Sequence, residues 1–319
     1  MRVPGAKSVR RIGARLRCRL VGAGVILGYH RVASVDSDPW SLAVSLEHFH
    51  GQMERLRSAF DPTPLRSMTE SSGGRSGQIP VAVTFDDGYR DFVEHALPVL
   101  EELEIPSTLF VVTGGLGSAF WWDRLAGVLS RSVDALQRVH FEAGGDVVEW
   151  GPGEDSGELV SRAYRSLTGA GATERERVLS GLESRSRDAG LPISPAPAVL
   201  SELEVSALAR HPLVEIGSHT VSHPRLSDLS AREVDDELKR SGSRLEELTG
   251  DRVTSFSYPH GATRPGLSDR VAAAGYDRAC LSRNGLVSGR SDPLALPRLW
   301  PTDLAGPAFS RWLRSWTGR

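Results

Sequence analysis

The sequence has few features of a secreted or membrane-spanning protein. Its 319 residues include only two cysteines, Cys18 and Cys280, too few for the disulfide framework of a small secreted domain. No apolar run reaches the roughly 18 residues that a transmembrane helix requires. The formal net charge of −2 gives no reason to expect nucleic acid as a partner. The length suits one large α/β domain or two smaller ones.

Acidic residues are absent from the first 35 positions, although seven basic residues fall within the first twenty. Apolar residues recur there at helical spacing. Residues 1–22 are therefore either a solvated basic arm or a basic amphipathic helix on an anionic membrane surface. A secretory signal is disfavoured, because the apolar run over 20–28 is short and broken by glycine. We expect a cytoplasmic protein, with peripheral contact at the inner face of the membrane as the alternative.

The stretch Val81-Ala-Val-Thr-Phe-Asp-Asp-Gly-Tyr89 is the most informative part of the chain. Its first five residues predict a buried strand, because the run is short, rich in β-branched residues and followed by turn residues. Asp86 and Asp87 follow at the strand end where parallel α/β proteins build their sites. Adjacent side chains of an extended chain point to opposite sides, so the two carboxylates can hold different roles. Taken alone, Asp-Asp-Gly is equally well explained as a polar turn.

A second apolar stretch, residues 213–217, is followed by His219 and His223. Their spacing of four would place both imidazoles on one face of a helical turn, within reach of one ion. Two histidines and one carboxylate leave a zinc-like ion one open position for water, which is the ligand count of a catalytic site. The alternative is a pair of solvated loop histidines.

Together these stretches resemble the motifs of the polysaccharide deacetylase family, also known as the NodB homology domain or carbohydrate esterase family 4. The matching segments are Thr84-Phe-Asp-Asp-Gly88 and His219-Thr-Val-Ser-His223. A third segment, Phe256-Ser-Tyr-Pro-His-Gly261, is similar to the third motif of the family. The resemblance runs from about residue 24 to about residue 300. The first two motifs in this order are strongly specific, and the third is weaker.

The resemblance implies a role for each matched residue. One divalent metal ion, with zinc expected and cobalt, nickel or manganese as alternatives, would be bound by Asp87, His219 and His223. Asp86 would be the general base that takes a proton from the attacking water. The backbone N–H of His260 would bind the oxyanion, and Tyr258 of the same motif is a second candidate contact for substrate or oxyanion.

The chain departs from the family pattern in its third motif. The family places an arginine two residues before the proline, and here that position is Ser257. Arg298 ends the last apolar segment, which should lie near the first strand of a closed barrel. It is our candidate to replace the missing arginine by pairing with Asp86. A surface or structural ion pair is the alternative.

The chain also lacks the late Leu-x-x-x-His motif that supplies the general acid in the family, since no histidine follows His260. The segment Gly28-Tyr-His-Arg-Val32 resembles a subgroup in which that motif stands at the front of the chain. His30 is therefore the candidate proton donor to the leaving amine, because histidine is the commonest proton shuttle near neutral pH. The alternative is a structural histidine bonded to a backbone carbonyl.

Strands alternate with helices along the chain, which favours a parallel α/β sheet. The resemblance narrows this to a distorted, incomplete (β/α) barrel of seven strands within residues 23–319. A mostly helical segment at about 120–210 is too long for a simple connection, and we interpret it as an insertion. Within it, Trp121 and Trp122 form either a platform or lid for sugar rings or aromatic anchors that hold the insertion to the barrel.

Local patterns also predict individual elements. A helix is predicted over 90–104, with a kink or early stop at Pro98. Residues 144–157 read as a polar loop, and residues 296–300 as a strand. Ser45 is expected to cap a helix that runs to about residue 59.

These features predict a metal-dependent hydrolase that removes an N-acetyl group from an amino sugar in a polysaccharide, oligosaccharide or glycolipid. The expected partner is an acetylated glycan or glycolipid, and no oligomeric state is implied. Two other functions stay open. One is a deformylase or amidase that acts on a small or lipid-linked sugar. The other is a carbohydrate-binding protein that keeps this scaffold without catalysis.

Overall fold

The fold is that of a computed structural model of the chain. It describes residues 24–35, 38–68, 78–132, 138–151, 156–191 and 193–318. The basic segment 1–22, with Cys18, lies outside the described residues, so both interpretations of that segment stay predictions. Within the described ranges, no helix combines the length and the apolar character needed to cross a bilayer.

The described residues contain both strands and helices throughout. The strands are β1 (Val25–Tyr29), β2 (Arg31–Val32), β3 (Ala43–Val44), β4 (Asp61–Pro62), β5 (Pro80–Phe85), β6 (Ser107–Val111), β7 (Val139–Ala143), β8 (Asp146–Trp150), β9 (Val214–Ser218), β10 (Ser255–Ser257) and β11 (Arg278–Cys280). The helices are α1 (Leu46–Ala59), α2 (Leu97–Glu102), α3 (Trp121–Ser132), α4 (Ser156–Gly169), α5 (Ala172–Asp188), α6 (Glu202–Leu208), α7 (Ala231–Thr249), α8 (Leu267–Ala273) and α9 (Gly306–Thr317).

Seven of these strands form one parallel sheet in the order β1–β5–β6–β9–β10–β11, with β4 also paired to β5. The segment 296–300 links the two ends of this order. Leu296 bridges Cys280 of β11, and Leu299 bridges Leu27 of β1. The sheet therefore curls into the distorted, incomplete (β/α) barrel that the resemblance implies, and the predicted fold is confirmed.

The segment 296–300 closes the barrel without forming the strand predicted for it. It makes only isolated bridges to its neighbours. Pro297 accounts for part of this difference, because proline has no N–H to donate to a ladder. The contact with β1 is nevertheless regular. The Leu299 N–H donates to the Ile26 carbonyl at 2.8 Å, and the Gly28 N–H donates to the Leu299 carbonyl at 2.9 Å.

Side chains of the sheet separate into two apolar layers, as the period of two in a strand requires. On the outer face, Val81, Val83 and Phe85 pack with helix residues such as Phe49 and Met53 of α1, which are fully buried. The interior of the barrel is filled by Ile26, Ala82, Phe110, Cys280 and Leu296. Burial on both faces explains why these strands are near-continuous apolar runs in the sequence.

The helix predicted over 90–104 changes type near Pro98. Residues Phe92–Ala96 form a π-helical turn, and α2 then begins with Pro98 in its first turn. Proline has no N–H and its ring clashes with the carbonyl four residues earlier, so the regular α-helical hydrogen-bond pattern is disturbed there. In the first turn of a helix this N–H would have no partner, and proline is tolerated. The irregularity expected at Pro98 is therefore present as a π-helical turn directly before it, within an unbroken helical run.

The start of α1 also differs from the prediction. Ser45 stands at the N-cap position but makes no cap hydrogen bond to the helix. Its hydroxyl donates to the Asp303 carboxylate at 2.8 Å, and its N–H donates to the same oxygen at 2.9 Å. The helix is as predicted, whereas its cap is replaced by a tertiary contact from a distant part of the chain.

Residues 36–41 and 117–199 form a second compact unit with its own core. It contains α3, α4, α5 and an antiparallel hairpin of β7 and β8. The loop predicted over 144–157 is wrong in its first part, because β8 lies there. Gly144 and Gly145, with φ of 60° and 81°, form the turn, as tight hairpins require. The core of the unit includes Leu125, Leu129, Phe141, Trp150 and Leu167.

Candidate active site

The carboxyl ends of the barrel strands bring most of the predicted site residues to one edge. Parallel strands end on the same side of a sheet. His30 follows β1, Asp86 and Asp87 follow β5, and His219 follows β9. Burial is nearly complete, since Asp86 is 2 % exposed and His219 is 1 % exposed. Ionisable groups buried to this extent need charge pairs, hydrogen bonds or a bound ion to compensate them.

Asp86 is held by the buried side chain of Arg298. Hydrogen bonds of 2.7 Å join Arg298 Nη1 to Asp86 Oδ1 and Nη2 to Oδ2. The other N–H groups donate to the Leu281 carbonyl at 3.1 Å, the Thr84 hydroxyl at 3.2 Å and the Ser257 hydroxyl at 2.9 Å. All five N–H donors of the guanidinium are therefore used, which allows one orientation only. The pairing suggested by the sequence is present in the structure.

Ser257 explains why the arginine can come from a different part of the chain. β10 places Ser257 beside the end of β5, where the arginine of the family pattern would stand. Its hydroxyl accepts from Arg298 Nη2 at 2.9 Å and donates to Asp86 Oδ2 at 3.2 Å. A second arginine at position 257 would compete for the same carboxylate. The small side chain instead completes the contact that Arg298 makes from the closing segment.

The Arg298 contact also decides the charge of Asp86. Burial alone would raise the pKa of this carboxyl. The positive charge of Arg298 outweighs burial and, with a smaller contribution from His219, holds the pKa well below its usual range. Asp86 is therefore ionised near neutral pH.

Asp87, His219 and His223 form a cluster of the metal-ligand type. Asp87 Oδ1 lies 3.5 Å from Nε2 of His219 and 3.5 Å from Nε2 of His223. One ligand atom from each residue lies within 4.8 Å of the others, and no other such group occurs in the part of the chain that the structure describes. Two imidazole nitrogens and one carboxylate oxygen are the donor set of a catalytic zinc site. The residues present thus fit one divalent ion.

Hydrogen bonding and burial prepare His219 for this role. Its Nδ1 lies 2.8 Å from the Ser257 carbonyl oxygen. Because a carbonyl can only accept, we assign the proton to Nδ1, which leaves a lone pair on the Nε2 that faces Asp87. Burial lowers the pKa of His219 and lowers that of His223 well below its usual value. Both imidazoles are therefore neutral near pH 7, as metal ligands must be.

The two histidines are brought together by an irregular loop, so the helical turn suggested by their spacing is wrong. Thr220 and His223 have φ of 69° and 56°, far from helical values. The carboxylate of Glu237 in α7 accepts the N–H groups of Val221 at 2.8 Å and of Ser222 at 3.0 Å. Sequence reasoning missed Glu237, because it lies within a helix whose exposed side carries many charges.

Backbone strain is concentrated at this site. Six described residues other than glycine have positive φ, and four of them lie here: Asp87 (75°), Thr220 (69°), His223 (56°) and His260 (58°). Such conformations cost about 1–3 kcal/mol each and persist only where the surroundings over-determine them. The strain is consistent with side chains that must point in fixed directions.

His30 lies at the same site, at the end of β1. Its half-buried ring stacks on Trp300, with 5.0 Å between centroids and 23° between planes. A positive charge on His30 would lower the pKa of Asp86 and that of His223, after the larger effects of burial and nearer groups. The structure thus brings His30 to the residues expected to be the base and a ligand. Its role as proton donor stays a prediction.

His260 and Tyr258, the two candidate contacts of the third motif, lie in different surroundings. The His260 ring lies 4.6 Å from the His223 ring, and burial lowers the pKa of His260 to about 4. Tyr258 is 1 % exposed, packs edge-on against Phe256 at 5.1 Å, and donates its hydroxyl to the Leu294 carbonyl at 3.0 Å. The Tyr258 side chain therefore belongs to the core. Its predicted contact with substrate remains a prediction.

Trp121 and Trp122 lie in the second unit, where each packs in an aromatic pair. Trp122 is 5 % exposed and stacks on Phe120 at 4.3 Å. Trp121 stacks on Tyr164 at 5.2 Å, and the Arg175 guanidinium lies 5.3 Å from its ring. Both indoles thus contact neighbours within their own unit. The sugar-binding role suggested for them is still a prediction.

Trp300 is a second residue of the site that sequence reasoning missed, after Glu237. It follows Arg298 by two positions, so on an extended segment both side chains point to the same side. One signal was available: Gly28 interrupts an apolar strand, and glycine there often marks a close approach. A Cβ at Gly28 would lie 2.7 Å from a ring carbon of Trp300.

Comparison with known proteins agrees with this geometry. The model of the polysaccharide deacetylase family matches residues 73–139 and 185–279, just over half of the chain. The comparison with curated proteins gives no match. The family match makes this carboxylate–histidine cluster, at the carboxyl end of a parallel barrel, the candidate site of a carbohydrate deacetylase, which is a class of hydrolase. The chain belongs to the polysaccharide deacetylase family, and its substrate class is acetylated carbohydrate.

Solved structures show the same fold at low sequence identity. IcaB from Ammonifex degensii is 18 % identical with a TM-score of 0.59, over 93 % of this chain and 97 % of that one. The Streptococcus pyogenes deacetylase PplD, in complex with acetate, is 16 % identical with a TM-score of 0.58, over 91 % and 97 %. A polysaccharide deacetylase from Bacillus cereus is 16 % identical with a TM-score of 0.59, over 92 % and 68 %.

We expect Arg298→Ala to lower the free energy of unfolding by about 3–5 kcal/mol, because the buried Asp86 carboxylate loses its counter-charge. Arg298→Lys should recover only part of this loss, since an ammonium cannot make two parallel hydrogen bonds. Denaturant unfolding near pH 7 measures both. The control is Asp86→Asn combined with Arg298→Ala, which removes both charges and should be more stable than Arg298→Ala alone. Equal stability of these two variants would show that the ion pair is not the source of the loss.

Proposed function

We propose that this chain is a metal-dependent deacetylase that removes N-acetyl groups from hexosamine residues of a polysaccharide, oligosaccharide or glycolipid. The observation that carries the proposal is the Asp87–His219–His223 cluster beside Asp86, a carboxylate kept ionised by Arg298. Membership of the polysaccharide deacetylase family supports acetylated carbohydrate as the substrate. Metal dependence and the preference for an N-acetyl group are what the proposal adds.

Three side chains would hold the metal ion: Asp87, His219 and His223. Zinc suits two imidazoles and one carboxylate, and cobalt, nickel and manganese are the alternatives. When bound, such an ion polarises the acetyl carbonyl and lowers the pKa of a water molecule at its open position. Proton transfers are assigned to other residues of the site.

Asp86 accepts the proton of the attacking water. A carboxylate offers about four positions for hydrogen bonds. Arg298 donates to both oxygens of Asp86, and Ser257 donates to Oδ2, so three positions are filled. One position on Oδ1 is left for the water. Arg298 also keeps Asp86 in the ionised form that a base requires. The contact with Arg298 therefore fixes both the charge and the orientation of the Asp86 carboxylate.

The remaining roles belong to His260 and His30. The backbone N–H of His260 donates to the oxyanion. His30 protonates the leaving amine. Its position at the end of β1, beside the end of β5 that Asp86 follows, supports this assignment.

The first prediction concerns metal content. Purified wild-type protein should bind about one equivalent of a divalent transition metal, and Asp87→Ala should lose it, because each ligand contributes to a single site. Elemental analysis after dialysis measures this without any choice of substrate. Asp86→Asn is the matched control and should keep the metal. Wild-type protein that stays metal-free after reloading with zinc or cobalt would refute metal dependence and favour a binding protein on this scaffold.

The second prediction concerns the base. Asp86→Asn should lower the rate of acetate release from N-acetylated oligosaccharides by at least ~10²-fold while the metal content stays unchanged. Asp269→Asn, the same change at an exposed position of α8, is the control. Turnover retained in Asp86→Asn would contradict the assignment. Release of formate from formylated sugars in place of acetate would favour the deformylase alternative.

The third prediction concerns the proton donor. His30→Gln should lower kcat by roughly 10²–10⁴-fold, because the leaving amine then departs without a positioned acid. The metal content should not change. His48→Gln, at a partly exposed histidine paired with Asp303, is the control. A near-normal kcat in His30→Gln would return this histidine to a structural role.

A further inference from the structure

Trp300 contacts two residues of the site at once. Its ring centroid lies 5.0 Å from that of His30, with 23° between the planes. The guanidinium carbon of Arg298 lies 4.5 Å from the same ring. One indole therefore touches both the candidate proton donor and the side chain that holds the candidate base.

The position of this indole is set by contacts outside the reacting groups. Its Nε1–H donates to the Ser282 carbonyl at 3.2 Å. The bridge between Leu299 and Leu27 fixes the height of Trp300 against β1. Gly28 leaves the space that the ring fills, since an added Cβ would lie 2.7 Å from it. These contacts hold the ring in one place, which is required of a residue that orients other side chains.

The chemistry of an indole suits both of its neighbours. Its face carries a negative potential that attracts cations. Arg298 is always a cation, and His30 is one whenever it holds the proton that it would donate. The ring therefore favours stacked positions for Arg298 and for protonated His30. An aliphatic side chain of similar volume could fill the space but could not supply this attraction.

We propose that Trp300 is a positioning residue for deacetylation, which sets the placement of His30 relative to the Arg298–Asp86 pair. This inference rests on the proposed function. Trp300 forms no bond and carries no proton in the reaction, and it acts through His30 and Arg298. Misplacement of a reacting group by about 1 Å can cost roughly 10²-fold in rate. The alignment of acid and base therefore depends on this ring.

Kinetics of paired variants test the proposal. Trp300→Ala should lower kcat by roughly 10²-fold with a small change in KM and an unchanged metal content. Trp300→Phe should retain most of the activity, because an aromatic face remains. Trp312→Ala, which removes an indole of similar burial from α9, is the control. If kcat of Trp300→Ala equals that of the control, the proposal is overturned. A raised KM with unchanged kcat would overturn it too, by assigning Trp300 to substrate binding.

A second measurement does not depend on activity. The ring protons of His30, assigned by their absence in His30→Gln, should show an upfield ring-current shift in the NMR spectrum of the wild type. The shift should disappear in Trp300→Ala and persist in part in Trp300→Phe. Unchanged resonances in Trp300→Ala would refute the contact. Trp300→Leu replaces Trp300→Ala if that variant does not fold. If the wild type releases no acetate, the proposed function fails, and the NMR result still decides whether Trp300 holds His30.

Discussion

The ion pair between Asp86 and Arg298 is the interaction on which the rest of the site depends. Removing two charges from water costs several kcal/mol per ion, and only close geometry with further hydrogen bonds compensates for it. Here both carboxylate oxygens and all five guanidinium donors are engaged. Arg298 lies on the same segment that bridges β11 to β1. The same segment therefore closes the barrel and supplies the counter-charge of the buried Asp86 carboxylate.

Ser257 connects this pair to the metal-ligand cluster. Its hydroxyl contacts Asp86 and Arg298, while its carbonyl accepts from Nδ1 of His219. One residue of β10 thus helps to orient the base and selects the tautomer of a ligand. Such a position accepts few side chains, because a bulkier one would displace Arg298. A departure from the family pattern at this position is therefore matched by a compensating residue elsewhere in the barrel.

How far the sequence predicts the molecule depends on the range of the interaction concerned. β5 and its aspartates were evident because a buried parallel strand is apolar throughout and ends at a turn. The π-helical turn before Pro98 follows from one residue. The loop that joins His219 and His223 could not be predicted, because Glu237 from another element binds the two residues between its left-handed positions. The Gly144–Gly145 hairpin was missed although its signal was local, since the polar residues around it also suit a loop. Trp300 was missed because only the closing segment brings it to His30.

The distance along the chain between Asp86 and Arg298 has a consequence for how the protein is made. The two residues are separated by 212 positions. Asp86 and Asp87 are therefore synthesised long before Arg298, whose guanidinium neutralises Asp86. Until Arg298 is present, burying Asp86 would leave a carboxylate without its counter-charge, which is unfavourable. A fragment that ends before residue 298 would carry every proposed metal ligand and the base, yet it would lack the group that lets them be buried together.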